Sequence, residues 1–267
     1  MQLRASVIRI LGMMGLGVGL VGSAWAQEAP ASPPWRFQIT PIAVWGMGIK
    51  GPLTIRNRTK DLDVSFDELF DHLNGSIGLN FGANKGRWGG AFGFSYLKFK
   101  QDSVTANATT PLADISLHWI TLEASGSYAA VATPDVTVSV LAGVRYTSLK
   151  PKIEDLNGVT IVEGEGVNWT DPFIGASVVK PIGEAKKFSL SLKGDVGGFD
   201  ISESTSKIAY TIFPAAAYRF PISGGKRNLV LSAGYRYTHE EFTGEGPDVV
   251  QLDWDMQGPT LGLTFVF

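Results

Sequence analysis

The chain has 267 residues, 18% of them charged, a formal net charge of −2 and no cysteine. Disulfides, thiol catalysis and thiolate metal sites are therefore excluded, and the slight acidic surplus excludes the basic footprint that nucleic-acid binding demands. Glycine, at 32 residues, exceeds its usual share of ~7% without a collagen period; small residues at that density suit the inside of a strongly curved sheet.

Residues 1–26 read as a secretory signal. Arg4 and Arg9 make a basic start, Ile10 to Val21 an apolar stretch, and Ala24-Trp25-Ala26 a small-x-small cleavage site. The apolar run is shorter than the ~20 residues of a membrane-spanning helix. Removing Arg4 and Arg9 leaves 21 basic against 25 acidic residues in the processed chain. Residues 27–34, Gln-Glu-Ala-Pro-Ala-Ser-Pro-Pro, form a periplasmic lead-in, and 35–267 form one domain.

Within that domain ten segments carry period-two patterning: 35–48, 75–84, 87–100, 115–131, 135–149, 167–180, 187–199, 207–220, 228–242 and 251–267. Each is long enough for the ~9–11 residues that a tilted strand needs to cross a bilayer. Short turns alternate with longer loops. Asn84-Lys-Gly86, Ala132-Thr-Pro134, Gly183 to Lys186 and Ser223 to Lys226 are tight, whereas 49–74, 101–114, 150–166, 200–206 and 243–250 are long. An even strand count with this alternation predicts an all-β fold: a closed antiparallel transmembrane β-barrel of about ten strands, both termini in the periplasm. Eight strands, or twelve if Gly51 to Arg56 hides a hairpin, are the competing counts. A soluble sandwich or lipocalin-like barrel is the competing architecture, with its apolar faces turned inward.

The first long loop contains Ser65, able to cap a helix, and Glu68 three residues later, with Phe66, Leu69, Phe70 and Leu73 on one helical face. A short amphipathic helix over 65–73 is expected there, as a plug or lid.

The last segment separates its two faces most clearly. Pro259, Leu261, Leu263, Phe265 and Phe267 alternate with Gly258, Thr260, Gly262 and Thr264. The oily half belongs against lipid and the small polar half against the lumen. Trp35, Trp45, Trp88, Tyr96, Tyr146, Tyr235, Tyr237 and Phe267 fall at strand ends and are expected to form the interfacial girdles. Carrying the phase around the barrel places Arg87, Glu123, Arg145, Asp171, Lys193, Asp195, Arg219 and Arg236 inside, because strand charges at lipid depth cost several kcal/mol. Those charges make either a filled ladder of ion pairs or a polar path for a small solute, with Arg145, Arg219 and Arg236 attracting anions. A barrel only slightly wider than the ~8-strand case favours the ladder.

Chemistry has little raw material here. Asp114 with His118, and His239 with Glu240 and Glu241, are the histidine–acid groupings, and neither has a nucleophile at recognisable spacing. Asp248, Asp253 and Asp255 lack the spacing of a calcium loop. No metal, cofactor or catalytic residue is assigned.

Seven phrases carry a family likeness: Val64-Ser-Phe-Asp-Glu-Leu-Phe70, Lys85-Gly-Arg-Trp-Gly89, Trp169-Thr-Asp-Pro-Phe-Ile-Gly175, Gly194-Asp-Val-Gly-Gly-Phe199, Ala217-Tyr-Arg-Phe220, Gly234-Tyr-Arg-Tyr237 and Gly258-Pro-Thr-Leu-Gly262. From about residue 35 onward the chain resembles a widespread group of bacterial outer-membrane β-barrel proteins, mostly without assigned function. The resemblance implies an integral outer-membrane barrel whose terminal Phe267 is read by the barrel-assembly machinery, and it brings no catalytic residues. Asp200-Ile-Ser-Glu-Ser204 departs from the Gly-Ser-Asp loop of that group. The functional expectation is a non-enzymatic barrel, passing small solutes or serving a structural and surface-interaction role, with outer-membrane lipid and lipopolysaccharide as its surroundings. The alternative is a rim hydrolase acting on lipid or peptide.

Overall fold

The computed structural model describes residues 34–55, 58–65, 73–104, 113–155, 160–163, 166–202, 204–222, 224, 227–244 and 250–267. The signal assigned to 1–26 and all but the last residue of the lead-in assigned to 27–34 lie outside these residues, as does most of the helix expected over 65–73.

Ten strands close the barrel: β1 (Arg36–Trp45), β4 (Leu73–Lys85), β5 (Trp88–Val104), β6 (Ala113–Ala132), β7 (Thr137–Asp155), β9 (Val167–Ile182), β10 (Phe188–Gly198), β11 (Ile208–Ile222), β12 (Arg227–Thr243) and β13 (Val250–Val266). Every neighbouring pair is antiparallel, and β1 pairs with β13 to leave no edge. At that seam Phe37 and Phe267 exchange both backbone hydrogen bonds, at 2.8 and 2.9 Å. Closure satisfies the backbone of every strand at once, which is the condition for a sheet to sit in hydrocarbon.

Three short strands sit above this ring. β2 (Gly48–Ile55) prolongs β1 along the upper half of β13, and β3 (Arg58–Val64) folds back on β2. The first long loop therefore begins with the hairpin that the Gly51 to Arg56 stretch offered as an alternative, without adding to the ten strands of the barrel. β8 (Thr160–Glu163) pairs with β7. Strands β5, β6 and β7 also run further into the loop end than their sequence periodicity indicated, reaching Val104, Ala113 and Asp155.

One register change has large consequences. Ile39 pairs with Phe265 but Ile42 pairs with Leu263, so β1 carries one extra residue across this step. Pro41 lies in that bulge, a position that tolerates a residue without an N–H. Because side chains alternate with period two, one extra residue exchanges the faces of everything that follows. Phe37 and Ile39 stay outside, whereas Ala43, Trp45, Met47 and Ile49 are buried inside. Trp45, expected among the girdle aromatics by unbroken alternation with Trp35, is a lumenal residue for this reason.

Candidate functional site

At the level of the turns and lower strands the outer face is apolar: Phe92, Val140, Ile174, Leu192, Leu231 and Leu261 are all exposed there. The inner face of the same strands carries the charges. Glu123, Arg145 and Asp171 stand side by side on β6, β7 and β9, and Lys193 and Asp195 reach the same layer from β10. Arg145 donates from Nε and Nη2 to Glu123 Oε2 at 3.1 and 3.0 Å, and from Nη2 to Asp195 Oδ1 at 3.0 Å. Lys193 Nζ lies 3.4 Å from Glu123 Oε1 and 3.7 Å from Asp195 Oδ2. The two cations and two carboxylates form one neutral network, the arrangement that buried charge requires.

Aromatic rings pack against it. The Arg145 guanidinium lies 5.0 Å from the Phe173 ring centroid, and that of Arg236 lies 4.8 Å from the ring of Trp45. Phe173 pairs across the sheet with Gly143, and a Cβ on that glycine would sit 2.6 Å from Phe173 Cζ. Here glycine lets a lumenal ring lie against the neighbouring strand.

Toward the loop end the inner face changes character. Trp119 stacks on Trp254 with centroids 5.3 Å apart, and Trp169 on Phe242 at 4.4 Å. Leu97, Leu149, Leu252, Met47, Ile49 and Met256 fill in around them, all buried. The outer face changes in the opposite sense, to Asp253 and Asp255 on β13, His239 and Glu241 on β12, Lys98 on β5 and Lys150 on β7. The same strands thus read apolar outside and polar inside in their lower half, then polar outside and apolar inside in their upper half. That inversion marks where hydrocarbon gives way to water, since in water the greasy face must turn inward.

The two layers are joined at one corner. Trp169 Nε1 donates to Glu240 Oε1 at 2.6 Å. Ser206, wholly buried, donates from N and Oγ to the two carboxylate oxygens of Asp171, each at 2.7 Å, and its Oγ lies 3.4 Å from Glu240 Oε1. The β10–β11 connection folds inward to make these bonds, with Ser204 O accepting from Thr170 N at 2.8 Å. Gly198, Phe199 and Asp200 start that turn at φ 85°, 66° and 49°, a left-handed path that costs the two non-glycine residues energy. The Trp169-Thr-Asp-Pro and Gly194-Asp-Val-Gly-Gly-Phe phrases are thereby explained: they supply Trp169, Asp171, Asp195 and the turn.

A cavity of about 70 Å³ lies between the layers, touched by Trp45, Asn80, Glu123, Arg145, Lys193 and Arg236. At ~10–15 Å³ per water it holds a handful of molecules. Trp45 Nε1 and Asn80 Nδ2 are buried donors without protein acceptors beside it.

The other sequence-assigned residues are placed as follows. Arg219 sits on the inner side of β11 near the tight-turn end, away from the Arg145 network. Arg87 is exposed in the β4–β5 turn, donating to Ala130 O at 3.5 Å, and is not lumenal; the strand begins one residue later, so its parity does not apply. Trp88, Tyr96, Tyr146, Tyr235 and Tyr237 lie on the outer face, Trp88 being 4.9 Å from Tyr128. Trp35 and Phe267 lie at the seam, each within 6.0–6.2 Å of Phe37. The His239–Glu240–Glu241 grouping is divided by alternation, with Glu240 inside and its neighbours outside. His239 instead meets Asp255, Nδ1 to Oδ1 at 3.0 Å, and Tyr237 Oη donates to the same oxygen at 2.6 Å. Among the described residues no three acids or histidines group as a metal site.

No family model matches the chain, and no curated protein matches it. Solved structures do resemble it. The outer membrane protease OmpT from Escherichia coli aligns at a TM-score of 0.47 and 9% identity, over 90% of this chain and 99% of that one. Ail, the attachment invasion locus protein of Yersinia pestis, solved with the heparin analogue sucrose octasulfate, aligns at 0.34 and 12% over 87% and 97%. A Pseudomonas aeruginosa FadL homologue aligns at 0.32 and 8% over 87% and 90%. By its own closed antiparallel sheet, even strand number and apolar outer band, the chain is a ten-stranded β-barrel of the outer-membrane type.

Proposed function

We propose that the protein is a non-enzymatic outer-membrane barrel with an occluded lumen, serving a structural and surface-interaction role rather than conducting solutes. Both termini lie in the periplasm and the long loops face outward, as the placement of tight turns at the terminal end suggests. The observation that supports occlusion is the double closure: a neutral ion-pair layer around Arg145 and, above it, the stacked pairs Trp119–Trp254 and Trp169–Phe242. An open channel needs a continuous polar lining, and an apolar layer of this density interrupts it. The His239 grouping does not support hydrolysis, because the hydroxyl bonded to Asp255 is the Tyr237 phenol and both face outward with His239.

Planar-bilayer recording tests the reading. Silence across salts and voltages is expected, and discrete conductance steps from the unmodified protein would overturn it.

A further inference from the structure

Lys98 pairs across the sheet with His118, and His118 pairs with Lys150. The three side chains alternate outward on β5, β6 and β7, so three basic groups stand in adjacent positions on the outer wall. Three exterior cations elsewhere are neutralised locally: Lys50 by Asp63 at 3.1 Å, Lys186 by Asp135 at 3.0 Å and Lys207 by Glu241 at 2.8 Å. Among the described residues neither Lys98 nor Lys150 has an acidic partner.

Height on the barrel identifies what faces this strip. The register pairs Trp88 with Tyr128 and Tyr128 with Val140, ten positions below Lys98, His118 and Lys150 on the same three strands. Ten residues at ~3.3 Å each, tilted by ~40°, rise about 25 Å, the height of the apolar band of such barrels. Every outward residue in between is uncharged: Gly90, Phe92, Phe94 and Tyr96 on β5, Ile120 to Gly126 on β6, and Ala142 to Ser148 on β7. The strip thus lies one hydrocarbon thickness above the Trp88–Tyr128 pair, immediately beyond Tyr96 and Tyr146. The opposite wall at this height, β12 and β13, carries Glu241, Asp253 and Asp255 instead.

We infer that Lys98, His118 and Lys150 form a docking strip for the phosphate groups of lipopolysaccharide in the outer leaflet. Cations unneutralised by the protein, at headgroup depth, on one side only, complement an anionic headgroup layer. This rests on the orientation proposed above, with the long loops outside.

The test uses the processed, refolded chain in zwitterionic detergent, with bisphosphorylated lipid A as the probe and its dephosphorylated form as the comparison, bound lipid being counted by native mass spectrometry. The unmodified protein is expected to retain the phosphorylated form preferentially and to lose it with rising salt. Lys98→Gln with Lys150→Gln should weaken retention about thirtyfold, from ~1 kcal/mol per lysine near an anionic surface. Lys207→Gln, on the opposite wall, should leave it unchanged, and heat-modifiable migration verifies that each variant is folded. Should the double variant fail to fold, Lys150→Gln alone, at an exposed site, is expected to weaken retention about fivefold. Equal retention by the strip variants, equal binding of the phosphate-free lipid, or an equal loss with Lys207→Gln would overturn the docking strip. Binding in micelles does not depend on which way the barrel sits. Maleimide labelling of Gln251→Cys, exposed at the loop end of β13, in intact cells tests that separately, and labelling only after lysis would overturn the outer-leaflet assignment while leaving the micelle result standing.

Discussion

Trp254 points into the barrel and Leu261, seven residues further along the same strand, points out of it. Both are large and apolar, and a regular strand places residues an odd number apart on opposite faces. Their opposed directions show that β13 passes through two environments. Around Leu261 the outside is hydrocarbon, and around Trp254 the outside is water, so the apolar side chain turns inward. The ion-pair layer and the aromatic layer follow from this one transition, because each fills the lumen with whatever the outer face of that level leaves to the inside.

Arg145 holds two carboxylates at once, Glu123 Oε2 and Asp195 Oδ1, each at 3.0 Å from Nη2. Arg145→Leu leaves both acids short of their main partner, with Lys193 the remaining cation in contact with them. The expected cost is about 3–5 kcal/mol, the scale for removing one member of a buried pair. Urea unfolding followed by heat-modifiable migration reads it. Unchanged stability would mean that the network is wetter than its burial indicates.

Trp254→Ala removes one ring of the Trp119–Trp254 stack. It should destabilise the barrel by about 3–5 kcal/mol, as large-to-small aromatic replacements in a packed core do. It should not open the lumen, since the Arg145 layer beneath is untouched. Conductance appearing in bilayer recordings of this single variant would show that the aromatic layer alone closes the barrel.

Deleting Pro41 removes the extra residue of the β1 bulge. With β1 kept in register with β13 below the bulge, Trp45, Met47 and Ile49 would turn outward and leave the upper core. The deletion should therefore abolish the heat-modifiable folded form, whereas Pro41→Ala keeps the count of residues and should retain it. A folded deletion variant would show that the bulge does not set the inward direction of Trp45.

The ten strands were legible because each repeats its pattern over a length sufficient to cross a bilayer, and closure followed from their even number and alternating connections. Glu123, Arg145, Lys193 and Asp195 were legible as lumenal, since charges opposite runs such as Val140 to Val144 have nowhere else to go. Trp45 was not, because a bulge leaves no mark in the alternation beyond a proline that edge strands also use. The aromatic layer was missed for a different reason. Assigning every apolar face to lipid is correct only at lipid depth, and the signal of the change was present in Asp253-Trp254-Asp255, where two acids flank a tryptophan. The histidine–acid grouping at 239–241 failed through period two itself: adjacent residues on a strand never share a face.

The polarity inversion fixes the water boundary between Gln257 and Pro259 on β13, and between their cross-strand partners Tyr237 and Tyr235 on β12. Nitroxide labels at Asp253→Cys and Leu261→Cys test this directly, because the two sites share the outer face and lie eight residues, ~20 Å of height, apart. The label at 261 should be relaxed by oxygen, which concentrates in acyl chains, and hardly by a water-soluble nickel chelate. The label at 253 should behave in the opposite way. Both positions are exposed, so neither substitution disturbs packing and the readout stays independent of folding. Lipid-type relaxation at 253 would raise the hydrocarbon boundary above the acidic wall and bring the Lys98–His118–Lys150 strip down into the acyl region, where its charges would have no headgroup to meet.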